Sequence, residues 1–144
     1  MSTEANKAIV RQFVERVQNG GDLAALDVLA APGYVNHSAP PGVPSDREGL
    51  KQLTALFRTA FPDGRMTIEE MVAEGDRVAT RKTFRGTHQG ALLDLPPTGR
   101  AVVITLLDLV RLEDGQVVES WSMADEVGML RQLGALPSPE PAEG

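Results

Sequence analysis

The hydrophobic period changes from helical to alternating near the middle of the chain, and this change limits the possible fold more than any other feature. Before residues 61–64 (Phe-Pro-Asp-Gly) apolar residues recur at helical spacing, and after them they alternate with polar residues as in strands. Helices followed by a series of hairpin-connected strands are typical of an α+β domain rather than of a repeated βαβ unit. The sequence therefore predicts N-terminal helices packed on an antiparallel sheet.

Helix-start and helix-stop signals divide the first part into three helices. Residues 9–17 carry an apolar stripe that ends before Asn19-Gly20-Gly21, and Asp22 can cap a second helix through residue 31. A short extended piece, residues 34–37, leads into a proline-rich loop at residues 38–44. The pattern Ser45-Asp46-Arg47-Glu48 is typical of a capping box and predicts a third helix that ends at residue 61.

The second part predicts four strands and a closing helix. We expect strands at residues 66–73, 77–87, 100–112 and 116–123 and a helix at 127–133, with hairpin turns at Glu74-Gly75-Asp76 and Glu113-Asp114-Gly115. A strongly curved sheet with helices across one face forms a cone-shaped barrel whose mouth can hold a small ligand. Residues 100–112 are apolar enough to be covered on both faces, so we expect a homodimer to cover the outer face.

Length and composition narrow the class of protein. A chain of 144 residues fits one domain, expected at residues 1–136, with a disordered proline-rich tail at 137–144. A net charge of −6 argues against binding to nucleic acid or to an anionic membrane. The absence of cysteine excludes disulfides, thiolate metal sites and a cysteine nucleophile. Two histidines are too few for a histidine-rich metal site, so we expect no metal.

Neither a membrane segment nor a leader is predicted from the sequence. The longest apolar stretch, residues 101–107, is far shorter than the roughly 20 residues that a membrane helix needs. Residues 1–20 are polar and charged and contain no signal-peptide core. We therefore expect a cytoplasmic protein that binds neither nucleic acid nor membrane.

Scarce polar residues are the candidates for chemistry. Asp125 follows Val117, Glu119, Trp121 and Met123 at even spacing, so a continuing strand would place its carboxylate beside an indole and a thioether. Partial desolvation there suits general acid/base catalysis, whereas the position between a strand and a helix favours a helix cap.

For two histidines and two further carboxylates, the sequence allows both a functional and a structural role. His88 at a strand end and His37 in a loop could exchange protons with a substrate or tether backbone. Asp108, in the middle of an apolar strand, predicts an ion pair with Arg81, Arg85 or Arg111, or a pocket acid. Glu119 could orient a group in the pocket or lie at the rim of the pocket.

The residues expected to contact the substrate are Trp121, Tyr34, Asn36, Met123, Phe57 and Phe13, and Leu106 is expected to form a further part of the pocket wall.

Short blocks in order along residues 5–136 resemble the SnoaL-like polyketide cyclase family, within the nuclear transport factor 2-like superfamily. The blocks are Tyr34-Val35-Asn36-His37, Ala60-Phe61-Pro62-Asp63, Glu74-Gly75-Asp76-Arg77-Val78-Ala79, Gly86-Thr87-His88-Gln89-Gly90, Pro96-Pro97-Thr98-Gly99-Arg100, Glu119-Ser120-Trp121 with Asp125, and Gln132-Leu133-Gly134. The resemblance implies an α+β cone, commonly dimeric, with a pocket between helices and sheet.

The same resemblance implies a reaction. Characterised cyclases of the family close a ring by intramolecular aldol condensation without metal or cofactor, and an aspartate after the last-strand tryptophan is the general acid/base. That role carries over to Asp125, and His37 and His88 match recurring histidines that face the cavity. Ser120 departs from the family, which often has histidine before the tryptophan. We thus expect a cofactor-independent cyclase, or a related isomerase or lyase, acting on a hydrophobic polyketide-like molecule.

Two alternatives remain open at this point. The first is a small-molecule binding protein without catalysis on the same scaffold. The second is an epoxide hydrolase, which typically uses an Asp-Arg-Asp set; Asp108, Arg111 and Asp125 are the only obvious candidates. Asp108 and Arg111 are three residues apart, and on a regular strand they face opposite ways.

Overall fold

The computed structural model describes residues 2–137 and has the predicted order of helices and strands. Of the tail expected at 137–144, all but Pro137 lies outside the described residues. The elements are α1 (Thr3–Gln12) with a π-helical continuation (Phe13–Asn19), α2 (Leu23–Leu29), β1 (Ala30–Asn36), α3 (Arg47–Ala60), β2 (Arg65–Glu74), β3 (Arg77–Thr87), β4 (Ala101–Glu113), β5 (Gln116–Ala124) and α4 (Glu126–Gln132).

Each helix begins at a side chain that accepts a backbone hydrogen bond. Ser2 caps α1 and Asp22 caps α2, as the cap signal at Asp22 predicted. The cap of α3 is Asp46 rather than the expected Ser45, because the Asp46 carboxylate accepts from the Gly49 amide at 3.0 Å. The second helix ends at Leu29, two residues earlier than expected, since the chain turns into β1 at Ala30.

The sheet has five strands in the order β1-β5-β4-β3-β2 and is mixed rather than wholly antiparallel. Strands β2 to β5 pair antiparallel, whereas β1 runs parallel to β5, with Val35 opposite Glu119 and Asn36 opposite Ser120. The expectation of an antiparallel sheet is therefore wrong at one edge. Strand β1 is not joined to β5 by a hairpin. It follows α2, and α3, β2, β3 and β4 lie between the two strands in the chain, so the connection allows β1 and β5 to run in the same direction.

The core has two parts, which lie toward opposite ends of the sheet. One packs α1, its π-helical continuation and α2 against the inner face of the sheet and includes Val17, Leu26 and Val117. The other surrounds Phe61 and Phe84 and includes Leu133 after α4. Helices on the inner face of a curved sheet form the predicted α+β cone, and the first core cluster borders its cavity.

An extra residue in β5 reverses which side chains face the core. Arg111 pairs with Glu119 and Leu112 pairs with Val117, so Val118 has no opposite residue on β4. Such a β-bulge shifts the side-chain alternation by one residue. Val117 therefore faces inward, and beyond the bulge the inward residues are Ser120 and Ser122.

Candidate active site

A cavity lies between the first helical segment and the inner face of the sheet. Its volume is about 80 Å³. Apolar side chains form most of its wall, and the polar groups come from β1, β3, β4, β5 and the π-helical segment. The lining residues are Val10, Phe13, Val14, Gln18, Tyr34, Asn36, Leu50, Thr80, Lys82, Asp108, Val110, Val117, Ser120 and Ser122.

The two charged residues of the cavity wall form a buried ion pair. Lys82 on β3 is 2% exposed, and its ammonium group binds Oδ2 of Asp108 on β4. Lys82 also donates to Oε1 of Gln18 at 3.1 Å. The second carboxylate oxygen, Oδ1 of Asp108, is buried and has no hydrogen-bond partner among the described residues. Oδ1 therefore has free capacity to accept a hydrogen bond.

The partner of Asp108 is a residue that sequence reasoning missed. An arginine was expected, but Arg81 binds Glu70 at 2.8 Å and Arg111 binds Glu119, both away from the cavity. One signal was available: Lys82 shares its strand parity with Thr80 and Phe84, which face inward. A lysine at an inward position of a central strand needs a buried partner.

A second polar pair in the cavity consists of two hydroxyl groups. The Tyr34 hydroxyl and the Ser120 hydroxyl lie 2.5 Å apart in a hydrogen bond between β1 and β5. Burial raises the pKa of Tyr34 above 10.0; the Ser120 hydrogen bond lowers it, and the nearby charge of Asp108 raises it further. Tyr34 is therefore a neutral phenol at physiological pH and can donate a hydrogen bond.

Three of the six expected substrate contacts line the cavity. These are Phe13 on the π-helical segment, Tyr34 on β1 and Asn36 at the end of β1. The Asn36 side chain also accepts from the Ser38 amide at 2.9 Å and so holds the start of the loop at residues 37–46. Of the other three, Phe57 lies on α3, 40% exposed, and stacks on Phe61 rather than on the cavity wall.

Trp121 and Met123 lie on the outer face of the sheet, contrary to the expected strand parity. The bulge at Val118 is the cause, since it turns the odd-numbered residues of β5 outward after Val117. Met123 is 77% exposed. Trp121 stacks on His37 with ring centroids 4.6 Å apart, and the Arg77 guanidinium lies 5.5 Å from the indole centroid.

His37 and Glu119 belong to the same outer-face group. Nε2 of His37 lies 2.7 Å from Glu119, whose other oxygen accepts from Nε of Arg111 at 2.5 Å. The hydrogen bond from Arg111, and next that from His37, holds the pKa of the Glu119 carboxyl below its usual range. Asp108 and Arg111 thus have different partners on opposite faces, and the geometry does not assemble an Asp-Arg-Asp set.

His88 is fully buried, but in the second core cluster rather than at the cavity. Its ring lies 5.5 Å from that of Phe61. Nδ1 accepts from the Thr98 amide at 3.1 Å and lies 3.0 Å from the Thr98 hydroxyl. These contacts tie the loop at residues 88–100 to the end of β3.

Asp125 is at the surface, where it caps α4. Its Oδ1 accepts from the Gly128 amide at 2.9 Å, and its own amide donates to the Thr105 carbonyl at 3.1 Å. A Cβ at residue 128 would lie 2.1 Å from Oδ2 of Asp125, so glycine allows the cap to close. The side chain is exposed and is not part of the cavity wall described above.

Neither a metal cluster nor a spanning helix is found in the described part of the chain. Between residues 2 and 137, no three His, Asp or Glu side chains lie together in a way that could hold a metal ion. Within the same residues, none of the helices is both long and apolar enough to cross a membrane.

Comparison with known proteins gives matches along nearly the whole chain. A family profile described as SnoaL-like polyketide cyclase matches residues 8–133. The aklanonic acid methyl ester cyclase DnrD of Streptomyces peucetius is 29% identical over 148 aligned positions, which cover 97% of each chain.

Two solved structures extend this similarity to the fold. TsrD of Streptomyces laurentii has a TM-score of 0.86 at 30% identity and covers 94% of this chain and 99% of its own. IdmH of Streptomyces antibioticus has a TM-score of 0.79 at 39% identity and covers 90% of this chain and 98% of its own. With the profile match, these similarities show that the chain belongs to the SnoaL-like polyketide cyclase family, with its nuclear transport factor 2-like α+β cone.

Proposed function

We propose that this protein closes a ring in a hydrophobic polyketide-like methyl ester by a cofactor-independent intramolecular aldol reaction. Asp108 is the general acid/base of this proposal. The observation that carries it is the buried, unpartnered Oδ1 of Asp108 at the wall of the cavity. DnrD, which is similar over almost the whole chain, is an aklanonic acid methyl ester cyclase, and this supports the substrate class.

The reaction requires only proton transfer and the formation of one carbon–carbon bond. Oδ1 of Asp108 accepts a proton from a carbon next to a carbonyl group, and the resulting enolate attacks a second carbonyl in the same molecule. The neutral Tyr34 hydroxyl donates a hydrogen bond to the developing alkoxide, which finally takes the proton back from Asp108. Atoms balance, because the product is an isomer of the substrate.

The buried ammonium of Lys82 has a positioning role in this scheme. It holds Oδ2 of Asp108, and Gln18 holds the ammonium from the other side. This ion pair occupies Oδ2 and leaves Oδ1 for the proton of the reacting carbon. A positioned acid/base of this kind typically accelerates a reaction about 10²–10⁴-fold.

The proposal differs from the family resemblance in its choice of aspartate. The resemblance implied Asp125, whose carboxylate is exposed and accepts the Gly128 amide. A carboxylate used as a helix cap at the surface lacks the dry surroundings that make proton abstraction from carbon effective. His37 and His88 also have partners outside the cavity, so we propose structural roles for both.

Substrate binding requires the cavity to widen. A volume of about 80 Å³ holds a few water molecules, whereas sites for drug-sized ligands have roughly 300–1,000 Å³. We expect the π-helical segment Phe13–Asn19 to move, because it supplies Phe13, Val14 and Gln18 to the wall. Short π-helical stretches inside helices occur frequently at functional sites.

The direct test is incubation of the purified protein with aklanonic acid methyl ester. Since the reaction is an isomerisation, the expected product has an unchanged mass and a different chromatographic retention. The carbon that loses its proton forms the new carbon–carbon bond, so deuterium from D₂O should appear on that carbon only in substrate that is deprotonated and then reprotonated before ring closure. Consumption equal to that in buffer alone would contradict the proposal.

Binding without turnover is the second candidate, and one feature favours it. The Asp108 carboxylate is already paired with Lys82, so the charge that a catalyst would use is partly neutralised in the cavity. Tight binding of the same ester, with neither isomerisation nor deuterium exchange, would support this candidate over the cyclase.

We also propose that two copies associate through the outer face of the sheet. Val72, Val103, Leu107 and Met123 are each more than half exposed there. Residues 100–112 were expected to be covered on both faces, whereas residues 2–137 of one chain cover the inner face and leave side chains of the outer face exposed. A second copy of the same face would remove these side chains from water.

A further inference from the structure

The hydroxyl groups of Tyr34 and Ser120 join the edge strand β1 to β5 inside the cavity. The two oxygens lie 2.5 Å apart, and both side chains belong to the cavity wall. Tyr34 is 3% exposed and Ser120 is 7% exposed, so each hydroxyl needs a partner within the protein. Among residues 2–137 each has the other as its side-chain partner, and one of the two hydroxyl hydrogens is left for a ligand in the cavity.

Ser120 reaches the cavity because of the bulge in β5. Val118 has no opposite residue on β4, and the shifted alternation turns the Ser120 side chain inward. The Ser120 backbone is held by the strands on both sides, with Asn36 opposite it on β1, and its carbonyl accepts from the His37 amide at 2.9 Å. The sheet therefore fixes the Ser120 hydroxyl beside that of Tyr34.

The direction of this hydrogen bond decides which hydrogen the ligand meets. A serine hydroxyl and a tyrosine hydroxyl can each donate or accept. The phenol is the more acidic of the two and therefore the stronger donor. When a ligand oxygen lies in the cavity, the strongest arrangement places the phenol hydrogen on the ligand and the Ser120 hydrogen on Oη of Tyr34. Hydrogen bonds in such a chain polarise one another, so the bond from Ser120 strengthens the bond to the ligand.

The electrostatics of Tyr34 agree with a donor at Ser120. Burial raises the pKa of Tyr34, the hydrogen bond with Ser120 lowers it, and the charge of Asp108 raises it. A hydroxyl that lowers the pKa of a phenol stabilises negative charge on the phenol oxygen. Partial negative charge also develops on Oη when Tyr34 donates to an oxyanion. Lys82, the other charged group of the wall, is bound to Asp108 and to Gln18, so Ser120 is the side chain that stabilises this charge by a direct hydrogen bond.

We propose that Ser120 is a positioning residue, whose hydroxyl donates to Oη of Tyr34 and thereby directs and strengthens the hydrogen bond from Tyr34 to the carbonyl oxygen that becomes the alkoxide. This inference rests on the proposed ring closure and adds a residue that acts through Tyr34. The Ser120 hydrogen stays on its own oxygen, and no covalent bond forms or breaks at this residue.

Spectrophotometric titration of Tyr34 tests this hydrogen bond without any substrate. Ser120→Ala should raise the Tyr34 midpoint above that of the unsubstituted protein by about 0.4–1 pH unit, the equivalent of one neutral hydrogen bond. Ser120→Thr keeps a hydroxyl and should restore the midpoint. If Ser120→Ala does not fold, Ser120→Cys replaces it with the same expected rise, because a thiol is a weak donor of similar size.

Ser122→Ala is the matched control for the titration, since it removes another inward hydroxyl of the same strand from the cavity wall. It should leave the Tyr34 midpoint unchanged, with circular dichroism at each pH as the check on folding. An unchanged midpoint in folded Ser120→Ala, or an equal rise in Ser122→Ala, would overturn the inference.

Turnover of aklanonic acid methyl ester tests the consequence for catalysis. Ser120→Ala should lower kcat about 2–10-fold with little change in KM, because the hydrogen bond strengthens as charge develops on the substrate oxygen. Adding Ser120→Ala to Tyr34→Phe should lower kcat no further, since Ser120 acts through the Tyr34 hydroxyl. Equal losses from Ser120→Ala with and without that hydroxyl would overturn the inference and indicate direct contact of Ser120 with the substrate.

Two results separate this inference from the proposed function. Isomerisation of the ester with an unchanged kcat in Ser120→Ala would overturn the role of Ser120 and leave the ring closure intact. A protein that does not isomerise the ester, but whose Tyr34 midpoint rises in Ser120→Ala, would contradict the ring closure and still support Ser120 as the donor to Tyr34.

Discussion

The ionisation of Tyr34 measures directly how buried the cavity wall is. Tyr34 is the only tyrosine in the chain, so tyrosinate absorbance measures a single group. Burial raises the pKa of Tyr34 above 10.0, and the charge of Asp108 acts in the same direction. We expect a spectrophotometric titration midpoint above 10.0 in the folded protein and near 10.0 in denaturant.

The same shift predicts how stability depends on pH. A group whose pKa is higher in the folded state contributes stability that is complete below about pH 10. This contribution is lost as the pH rises through the folded-state value. Tyr34→Phe should therefore lack this alkaline component of the free energy of unfolding, and a folded-state midpoint at or below 10.0 would contradict the account of a buried phenol.

At the residue scale, the sequence predicted part of the cavity. Tyr34, Asn36 and Phe13 were expected there and line it. Lys82 and Gln18 were not expected; the strand parity that Lys82 shares with Thr80 and Phe84 indicates an inward side chain but not its partner. Only the pairing of β3 with β4 brings Lys82 to Asp108, and this register is not encoded in either strand alone.

At the element scale, strand positions were more predictable than the faces of the strands. The bounds predicted from the hairpin turns agree with the observed bounds of β3, residues 77–87, and differ by at most one residue at each end of β2, β4 and β5. The bulge in β5 was not predictable, because Val117 and Val118 are chemically equivalent and either could face inward. That one residue decides that Trp121 and Met123 lie outside the cavity.

The connection between α3 and β2 depends on the ionised form of Asp63. Its carboxylate accepts from the Thr87 amide and from the Thr87 hydroxyl, both at 2.7 Å, and so ties this connection to the end of β3. The backbone hydrogen bond first, and then the hydroxyl, hold the pKa of Asp63 below its ordinary value of 3.8. The stabilising effect is therefore present above pH 3.8 and is lost as the pH falls through the folded-state value.

Asp63→Asn should reveal this effect as a pH-dependent difference in the free energy of unfolding. We expect the variant to be less stable than the unsubstituted protein at neutral pH and the difference to shrink in acid. Urea denaturation at both pH values measures it, with the exposed loop variant Asp94→Asn as control. A difference that stays constant with pH would contradict the assigned role of the charge.

At the scale of the whole molecule, the open question is what covers the outer face of the sheet. Leu107 is 55% exposed at its centre and lies opposite Met123 on β5 and Arg81 on β3. We expect sedimentation velocity to give the mass of a dimer for the unsubstituted protein. Leu107→Lys should give a monomer, because it adds a cation beside Arg81 in a face that would otherwise be buried.

Val28→Lys on α2 is the control for this substitution, since Val28 is also exposed but lies on a helix. It should leave the dimer unchanged. A monomer in the unsubstituted protein at the same concentration would contradict the proposed association.

The central claim is that the cavity carboxylate, and not the helix cap, carries the proton. Turnover of aklanonic acid methyl ester by Asp108→Asn and by Asp125→Asn tests it most directly, with rates normalised to the folded fraction. Normalisation matters because Asp108→Asn leaves the Lys82 ammonium without its charge partner, and removing one member of a buried pair costs about 3–5 kcal/mol.

The account predicts that Asp108→Asn lowers kcat by about 10²–10⁴-fold. Asp125→Asn should retain kcat within a few-fold, because asparagine caps a helix about as well as aspartate. The opposite outcome, with folded Asp125→Asn inactive and Asp108→Asn active, would contradict the account and return the acid/base role to Asp125.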